Sequence, residues 1–267
     1  MKFLNPLRVQ KGDKIKGVVE LKKYLTYLGY LNRNNCSNNQ KIKSNNIFDK
    51  PLQLALKKYQ KFYNLNVTGI LDSKTVAKMH KPRCAMPDFY NHSCKNVKFL
   101  TTDSLYAFLP GQPRWKKRIL KYAFSASTPK EAILAIELAF KEWASVTNFK
   151  FEPTRKFDGA HVRILFLHGE HGDDLPFGGP EPIGGVAHSY PPPIGEVHFD
   201  AGLKWSNKGE RNAFDIKTVG LHELGHILGL GHSSDANAVM YPLVHLGETK
   251  KLDADDIKGI KALYKLK

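Results

Sequence analysis

The chain has 267 residues, 42% of them hydrophobic, which suits one large domain or two smaller ones with packed cores. Its formal charge is +16, but the lysines are scattered over solvated faces and no RNA- or DNA-binding signature occurs, so a nucleic-acid partner is not expected. Three cysteines are too few for a disulfide-built scaffold, and no apolar run is long enough to span a membrane.

The first residues, MKFLNPLRVQKGDK, lack the apolar stretch of a signal peptide. Residues 14–80 then read as largely helical. Val18, Leu21, Leu25 and Leu28 recur at helical spacing, as do Leu52, Ala55, Leu56, Tyr59 and Phe62, with Asp49 and Pro51 at the start of the second set. NVTGILDSKTVAKMH places a turn at Gly69, a cap at Asp72 and a third short helix. The asparagine-rich NRNNCSNNQKIKSNN is a polar loop between them. Residues 81–114 carry prolines without a period and read as an extended linker.

Beyond the linker the pattern changes to mixed strands and helices. ILKYAFS, FKFEPT and HVRILFLH are strand candidates. Thr128-Pro129-Lys130-Glu131 reads as a capping box with proline at the first helical position, opening a helix with Ile133, Ile136, Phe140 and Trp143 on one face. Residues 169–197 form a Gly/Pro/His-rich loop region, Asp215 caps a helix through Leu228, and Asp253 opens the last one. The expectation is an α+β second domain after a three-helix unit.

The chemistry sits in HELGHILGLGH, from His222 to His232. His222 and His226 are four residues apart and therefore share one helix face, so both imidazoles can bind one metal. Gly229 lets the chain leave the helix and bring His232 in as a third ligand. Three protein ligands with one open position describe a catalytic zinc site. Glu223 follows the first histidine and can act as general base on the attacking water. Met240, in AVMYP, stands where a methionine turn would pass beneath the metal.

These residues resemble the matrixin family, the matrix metalloproteinases, and most of all its plant type. HELGHILGLGHSSDANAVMYP is similar to the family's zinc motif and methionine turn, and PRCAMPD to its propeptide motif PRCG[VN]PD. LKKYLTYLGYL and LALKKYQKFYNLNVTGILDSKT resemble the propeptide helices, which are similar to peptidoglycan-binding domains; the likeness to the plant type carries the expectation of no hemopexin-like domain after DADDIKGIKALY. The resemblance implies a metzincin catalytic domain, a twisted mixed sheet with three helices, over residues 115–267. It implies an inhibitory propeptide over residues 1–95 and an activation region within 96–114.

It implies a latent endopeptidase, expected as a monomer, acting on proteins of an extracellular matrix or cell wall and inhibited by its own propeptide. Cys84 would fill the fourth zinc position, and Arg83 and Asp88 would pair to hold that loop. Ala85 and Met86 depart from the motif, and the Ala85 methyl is expected to crowd the loop against the cleft. His171, Asp173, His188 and His198 match the family's structural zinc site, with His168 left out.

The family's calcium site is thinned here, because PFGGP and HFDAGLKW leave Asp200 with carbonyls such as those of Gly179 and Ile183, a weak set for calcium. VAHSY would be the cleft's edge strand, with the Ala187 carbonyl as partner of a substrate amide. Leu221, Tyr241, Leu243 and Val244 would make an apolar S1′ pocket. Asp255 and Asp256 match the paired aspartates of the last helix, either to receive a new N-terminus or to cap that helix. Extracellular action would give meaning to the sequons at Asn35, Asn66 and Asn91 and allow Cys36 and Cys94 to pair. Two other readings are a non-catalytic binder on the same fold and a glycan-binding module built on the first three helices.

Overall fold

A computed structural model describes residues 8–14, 16–32, 46–90, 105–178 and 185–267. The chain divides into two units, one of residues 1–81 and 87–102 and one of residues 82–86 and 103–267.

The first unit contains the three expected helices: α1 (Val18–Tyr27), α2 (Lys50–Phe62) and α3 (Ser73–Met79). Asp49 caps α2 by accepting the Leu52 amide at 3.0 Å, and Pro51 occupies its first turn, where a missing N–H costs nothing. Asp72 caps α3 through the Thr75 amide at 2.8 Å. Leu21, Leu25, Leu28, Leu52 and Leu56 are fully buried, as their spacing predicts. Tyr24, Tyr30, Tyr59, Phe62, Tyr63 and Phe89 add a chain of ring contacts to this core. Asp88 is buried beside them, its Oδ2 accepting the Tyr30 and Tyr63 hydroxyls at 2.8 and 2.9 Å.

The second unit is built on a five-stranded sheet of β1 (Ile119–Phe124), β2 (Lys150–Pro153), β3 (Val162–Leu167), β4 (Ala187–Tyr190) and β5 (Glu196–Asp200), in the order β2-β1-β3-β5-β4. All pairings are parallel except β4 with β5, so β4 is an antiparallel edge. A short pair, β6 (Trp205–Ser206) and β7 (Phe214–Asp215), leads into α5 (Ile216–Ile227). Helices α4 (Lys130–Ser145) and α6 (Ala254–Tyr264) complete the unit. The mixed sheet with three helices is the α+β architecture expected.

Helix α4 begins one residue later than predicted. Pro129 is its N-cap, with extended ψ and no side-chain cap bond; the Thr128 hydroxyl instead meets that of Ser125 at 3.0 Å. The extended ψ at Pro129 takes Thr128 away from the helix's free amides, so the box does not close. Its buried face is Ala132, Ala135, Ile136, Ala139, Phe140 and Trp143, with Ile133 only half-buried. Trp143 is fully buried and its indole N–H donates to the Leu221 carbonyl at 2.8 Å, locking α4 against α5. Leu221, expected at the substrate pocket, therefore belongs to the core. One position before His222 it points roughly 100° away from the cleft, as the 3.6-residue helical period requires.

Candidate active site

Asp215 caps α5 through the Thr218 amide at 2.8 Å, and nearly every residue of the helix is buried. One helical turn carries His222 and His226 to the same face. The helix ends at Leu228, and Gly229 then takes φ +100°, a left-handed conformation that suits glycine. A Cβ there would lie 2.2 Å from the Pro113 carbonyl oxygen, so glycine is required twice over. The turn brings in His232, whose Nε2 is 3.2 Å from that of His226; the His222 Nε2 lies 3.1 Å from the same atom.

The tautomers follow from the second partners. His222 Nδ1 is 2.7 Å from the Val239 carbonyl and His226 Nδ1 is 2.8 Å from the Leu230 carbonyl. A carbonyl only accepts, so each Nδ1 carries the proton. Burial, then the neighbouring imidazoles, hold His222 well below the usual histidine range, and it is neutral. The Nε2 atoms of His222 and His226 thus present lone pairs to each other at contact distance. Two acceptors cannot satisfy one another, whereas a cation between them satisfies both. With Cys84 Sγ these atoms lie within 4.8 Å of one another, a nitrogen and sulfur set that fits zinc.

Cys84 reaches this cluster on an extended segment. The Cys84 amide donates to the Pro242 carbonyl and the Ala85 amide to the Ala187 carbonyl, both at 2.9 Å. The Arg83 carbonyl accepts the Val186 amide and the Pro82 carbonyl accepts that of Val244. Residues 82–86 therefore run between β4 and the 242–244 segment, bonded to both. Cys84 Sγ lies 3.6 Å from His226 Nε2 and receives the Met86 amide at 3.3 Å. Burial, then the adjacent Glu223, push the thiol well up against the opposing pull of the Met86 amide and Arg83. The Arg83 guanidinium grips the loop itself, donating to the Cys84 and Met86 carbonyls at 2.9 and 3.0 Å. The expected crowding by Ala85 does not occur. Its methyl is fully buried opposite Gly185, where an added Cβ would lie only 2.8 Å from it, so Gly185 supplies the room that Ala85 uses.

Glu223 is fully buried beside the histidines, and burial pushes its carboxyl up to about 7 against the Ser189 hydroxyl and Cys84 thiol, which pull it down. A buried carboxyl beside the histidines is placed to take a proton and return it. Its Oε2 accepts from Ser189, and its Oε1 has no hydrogen-bond partner. The sequence reading missed Ser189, since one serine in a strand carries no spacing signal. Met240 is buried in the turn below, where its amide donates to Asp256 Oδ1 at 3.0 Å and the Val239 amide to Asp256 Oδ2 at 2.8 Å. Asp256 also closes the capping box of α6 with Asp253, while Asp255 accepts the Leu105 amide at 3.1 Å.

Beside His222 a cavity of about 10 Å³ is lined by Val219, Val239, Tyr241, Leu243 and Val244 among others. Lys250 closes one side, donating to the Ala236 and Ala238 carbonyls, with its ammonium 5.4 Å from the Tyr241 ring centre.

The second cluster forms around Asp173. Its Oδ2 lies 2.9 Å from His171 Nε2 and 3.1 Å from both His188 Nε2 and His198 Nδ1. His171 Nδ1 is 2.8 Å from the Gly169 carbonyl, so that nitrogen carries a proton and Nε2 is the atom turned to the cluster. This Nε2 faces a carboxylate oxygen without a hydrogen bond, an arrangement that a cation resolves. Burial, then His198, push His188 down to about 4, so it is a neutral ligand-type imidazole. Burial raises the Asp173 carboxyl, but the Leu175 amide, the Tyr190 hydroxyl and His188 outweigh it and hold it well below the usual range. Strand alternation explains the layout: His188 and Tyr190 face this cluster, and Ser189 faces α5.

His168 lies in neither cluster. Asp200 is buried and caps its own turn by accepting the Gly202 amide at 2.8 Å. Gly179 and Ile183 lie outside the described residues, as do Cys36, Cys94, Asn35 and Asn91; Asn66 is exposed.

The matrixin family profile matches residues 114–265. The chain belongs to the matrixin family. A peptidoglycan binding domain profile matches residues 15–79 of this matrixin, the three-helix unit. It is 39% identical over 275 residues to Metalloendoproteinase 1-MMP of Arabidopsis thaliana, covering 98% of this chain and 72% of the relative. It is 40% identical over 265 residues to Metalloendoproteinase 1 of Glycine max, covering 95% and 83%. With Matrix metalloproteinase-20 of Homo sapiens it shares 38% identity over 218 residues, 78% of this chain and 41% of the relative. This matrixin is a zinc metalloendopeptidase, a hydrolase whose substrates are proteins. Among the described residues no helix is long and apolar enough to cross a membrane.

Proposed function

We propose that this chain is a latent endopeptidase held inactive by its own segment 82–86, with Cys84 as the inhibitory ligand and residues 1–95 as propeptide. The observation that carries the reading is the pair of bonds from Cys84 and Ala85 to the Pro242 and Ala187 carbonyls, which puts the thiol 3.6 Å from His226. That segment occupies the strand position a substrate would take. Activation is by cleavage within 96–114, after which residues 115–267 act as the catalytic domain.

His222, His226 and His232 would hold the catalytic zinc, which supplies a Lewis acid that acidifies water and polarises a peptide carbonyl. Glu223 takes the proton of the attacking water at Oε1 and returns it to the leaving amine. The Ala187 carbonyl, freed of Ala85, accepts a substrate amide and fixes the peptide's register. The apolar cavity beside His222 takes the P1′ side chain. Its lining of Val219, Val239, Tyr241, Leu243 and Val244 suits an apolar side chain. His171, Asp173, His188 and His198 hold a structural zinc, their four donors leaving no position for chemistry. Asp200 with carbonyls of Gly179 and Ile183 would bind calcium weakly. The protein acts as a secreted, extracellular monomer, with Asn35, Asn66 and Asn91 as glycosylation acceptors.

The test is zinc content and peptide cleavage by the full chain before and after a thiol-reactive mercurial, beside Glu223→Ala and Cys84→Ser. The proposal expects activity only after the mercurial, none in Glu223→Ala, and activity without mercurial in Cys84→Ser. Zinc-loaded protein that is inert in every state would point to a non-catalytic binder.

A further inference from the structure

We propose that Ser189 is a positioning residue for Glu223: its hydroxyl holds one carboxylate oxygen so that the other alone faces the reacting water. The inference rests on the reading of Glu223 as general base. Ser189 is almost wholly buried, on the edge strand β4, with its side chain against α5. Its Oγ lies within hydrogen-bond distance of two Glu223 atoms, Oε2 and, at 3.2 Å, the backbone oxygen. A hydroxyl has a single proton, and a carboxylate is the stronger acceptor, so the proton goes to Oε2.

What the bond leaves open matters as much. Oε1 of Glu223 is buried and has no hydrogen-bond partner. One oxygen is held by the sheet and the other meets no donor except the Cys84 thiol, which is the asymmetry a proton-shuttling carboxylate needs. Cys84 also lies against this carboxyl, but it belongs to the segment that withdraws on activation. Ser189 belongs to the sheet and stays. Its strand is fixed on the other side, because β4 pairs with β5 through Ser189↔Val197 and His188↔His198. Alanine in its place would fill nearly the same volume and leave Oε2 without this donor. A carboxylate on a flexible stem would then swing, and a displacement of about 1 Å costs on the order of 100-fold in rate.

The experiment uses the full, zinc-loaded chain, activated by mercurial, with Ser189→Ala, Ser189→Thr, Glu223→Ala and the double variant Ser189→Ala/Glu223→Ala. Ser189→Ala is expected to keep the parent's zinc content and a KM within about twofold, while kcat falls about 10-fold or more. Ser189→Thr, which restores the hydroxyl, is expected to recover most of kcat. A second readout needs no catalysis: Ser189→Ala should lower the thermal midpoint in the Glu223 background and leave it nearly unmoved in the Glu223→Ala background. Unchanged kcat in Ser189→Ala, beside an inert Glu223→Ala, overturns the proposal and leaves the base intact. Zinc loss, a rise in KM matching the fall in kcat, or equal thermal shifts in both backgrounds also overturn it, since each marks a merely structural serine. Activity in Glu223→Ala would remove the base itself, and the thermal coupling then decides whether Ser189 grips that side chain.

Discussion

Replacing Asp256 with alanine should cost the second unit about 3–5 kcal/mol and loosen the metal. The carboxylate is fully buried and accepts three backbone amides, those of Val239 at 2.8 Å, Met240 at 3.0 Å and Asp253 at 2.8 Å. Each amide left without an acceptor costs ~1–3 kcal/mol, and a water entering the vacated space satisfies one of them. Asp255→Ala is the internal control. It removes contacts to the Leu105 amide and the Ser233 hydroxyl, and Leu105 is exposed enough to turn to water, so about 1–2 kcal/mol is expected. Urea unfolding read by tryptophan fluorescence measures both, because Trp115, Trp143 and Trp205 all lie in the second unit. The Val239 carbonyl orients His222, so zinc affinity in Asp256→Ala should fall about 10- to 100-fold. A loss below about 1 kcal/mol, or no larger than that of Asp255→Ala, would falsify the three-amide account.

Gly229→Ala should destabilise the chain by about 2–4 kcal/mol and lower zinc retention, since it strains the turn that delivers His232 and meets the Pro113 carbonyl; equilibrium dialysis against zinc reads the second effect. Gly185→Ala should raise the activity of unactivated protein, because its Cβ would meet the Ala85 amide at 2.6 Å and displace the inhibitory segment. Ala85→Gly should leave latency as it is, and the pair is compared by peptide cleavage before mercurial treatment. Asp173→Ala should remove one zinc equivalent per chain and lower the thermal midpoint while one zinc stays bound, which atomic absorption and calorimetry together would show.

The catalytic histidines were legible because their geometry is local: four residues on a helix settle which side chains share a face. The helix caps at Asp49, Asp72, Asp215 and Asp253 were legible for the same reason. Cys84 stands 142 residues from His226, and only the likeness of PRCAMPD to a known motif connected them. Ser189 was invisible because its partner comes from another element 34 residues away. The Thr128 box failed on a backbone torsion that residue type does not set, and the Ala85 methyl was misjudged because its accommodation depends on Gly185, across the cleft. Asp256 was read as a choice between capping and receiving a chain end, whereas it also holds the methionine turn, a contact made through tertiary packing.

Strand β4 serves two masters. Its even-numbered residues, His188 and Tyr190, attend the outer cluster, and Ser189 attends Glu223. A slip of one residue along β5 would swap the faces, burying a hydroxyl among the outer imidazoles and turning an imidazole toward α5. The outer cluster thus works as a proofreader of register: only the correct alignment lets His188 and His198 meet over Asp173. From the far face of a four-residue strand, the meeting of those buried imidazoles over one carboxylate reports that the cleft has been assembled in phase.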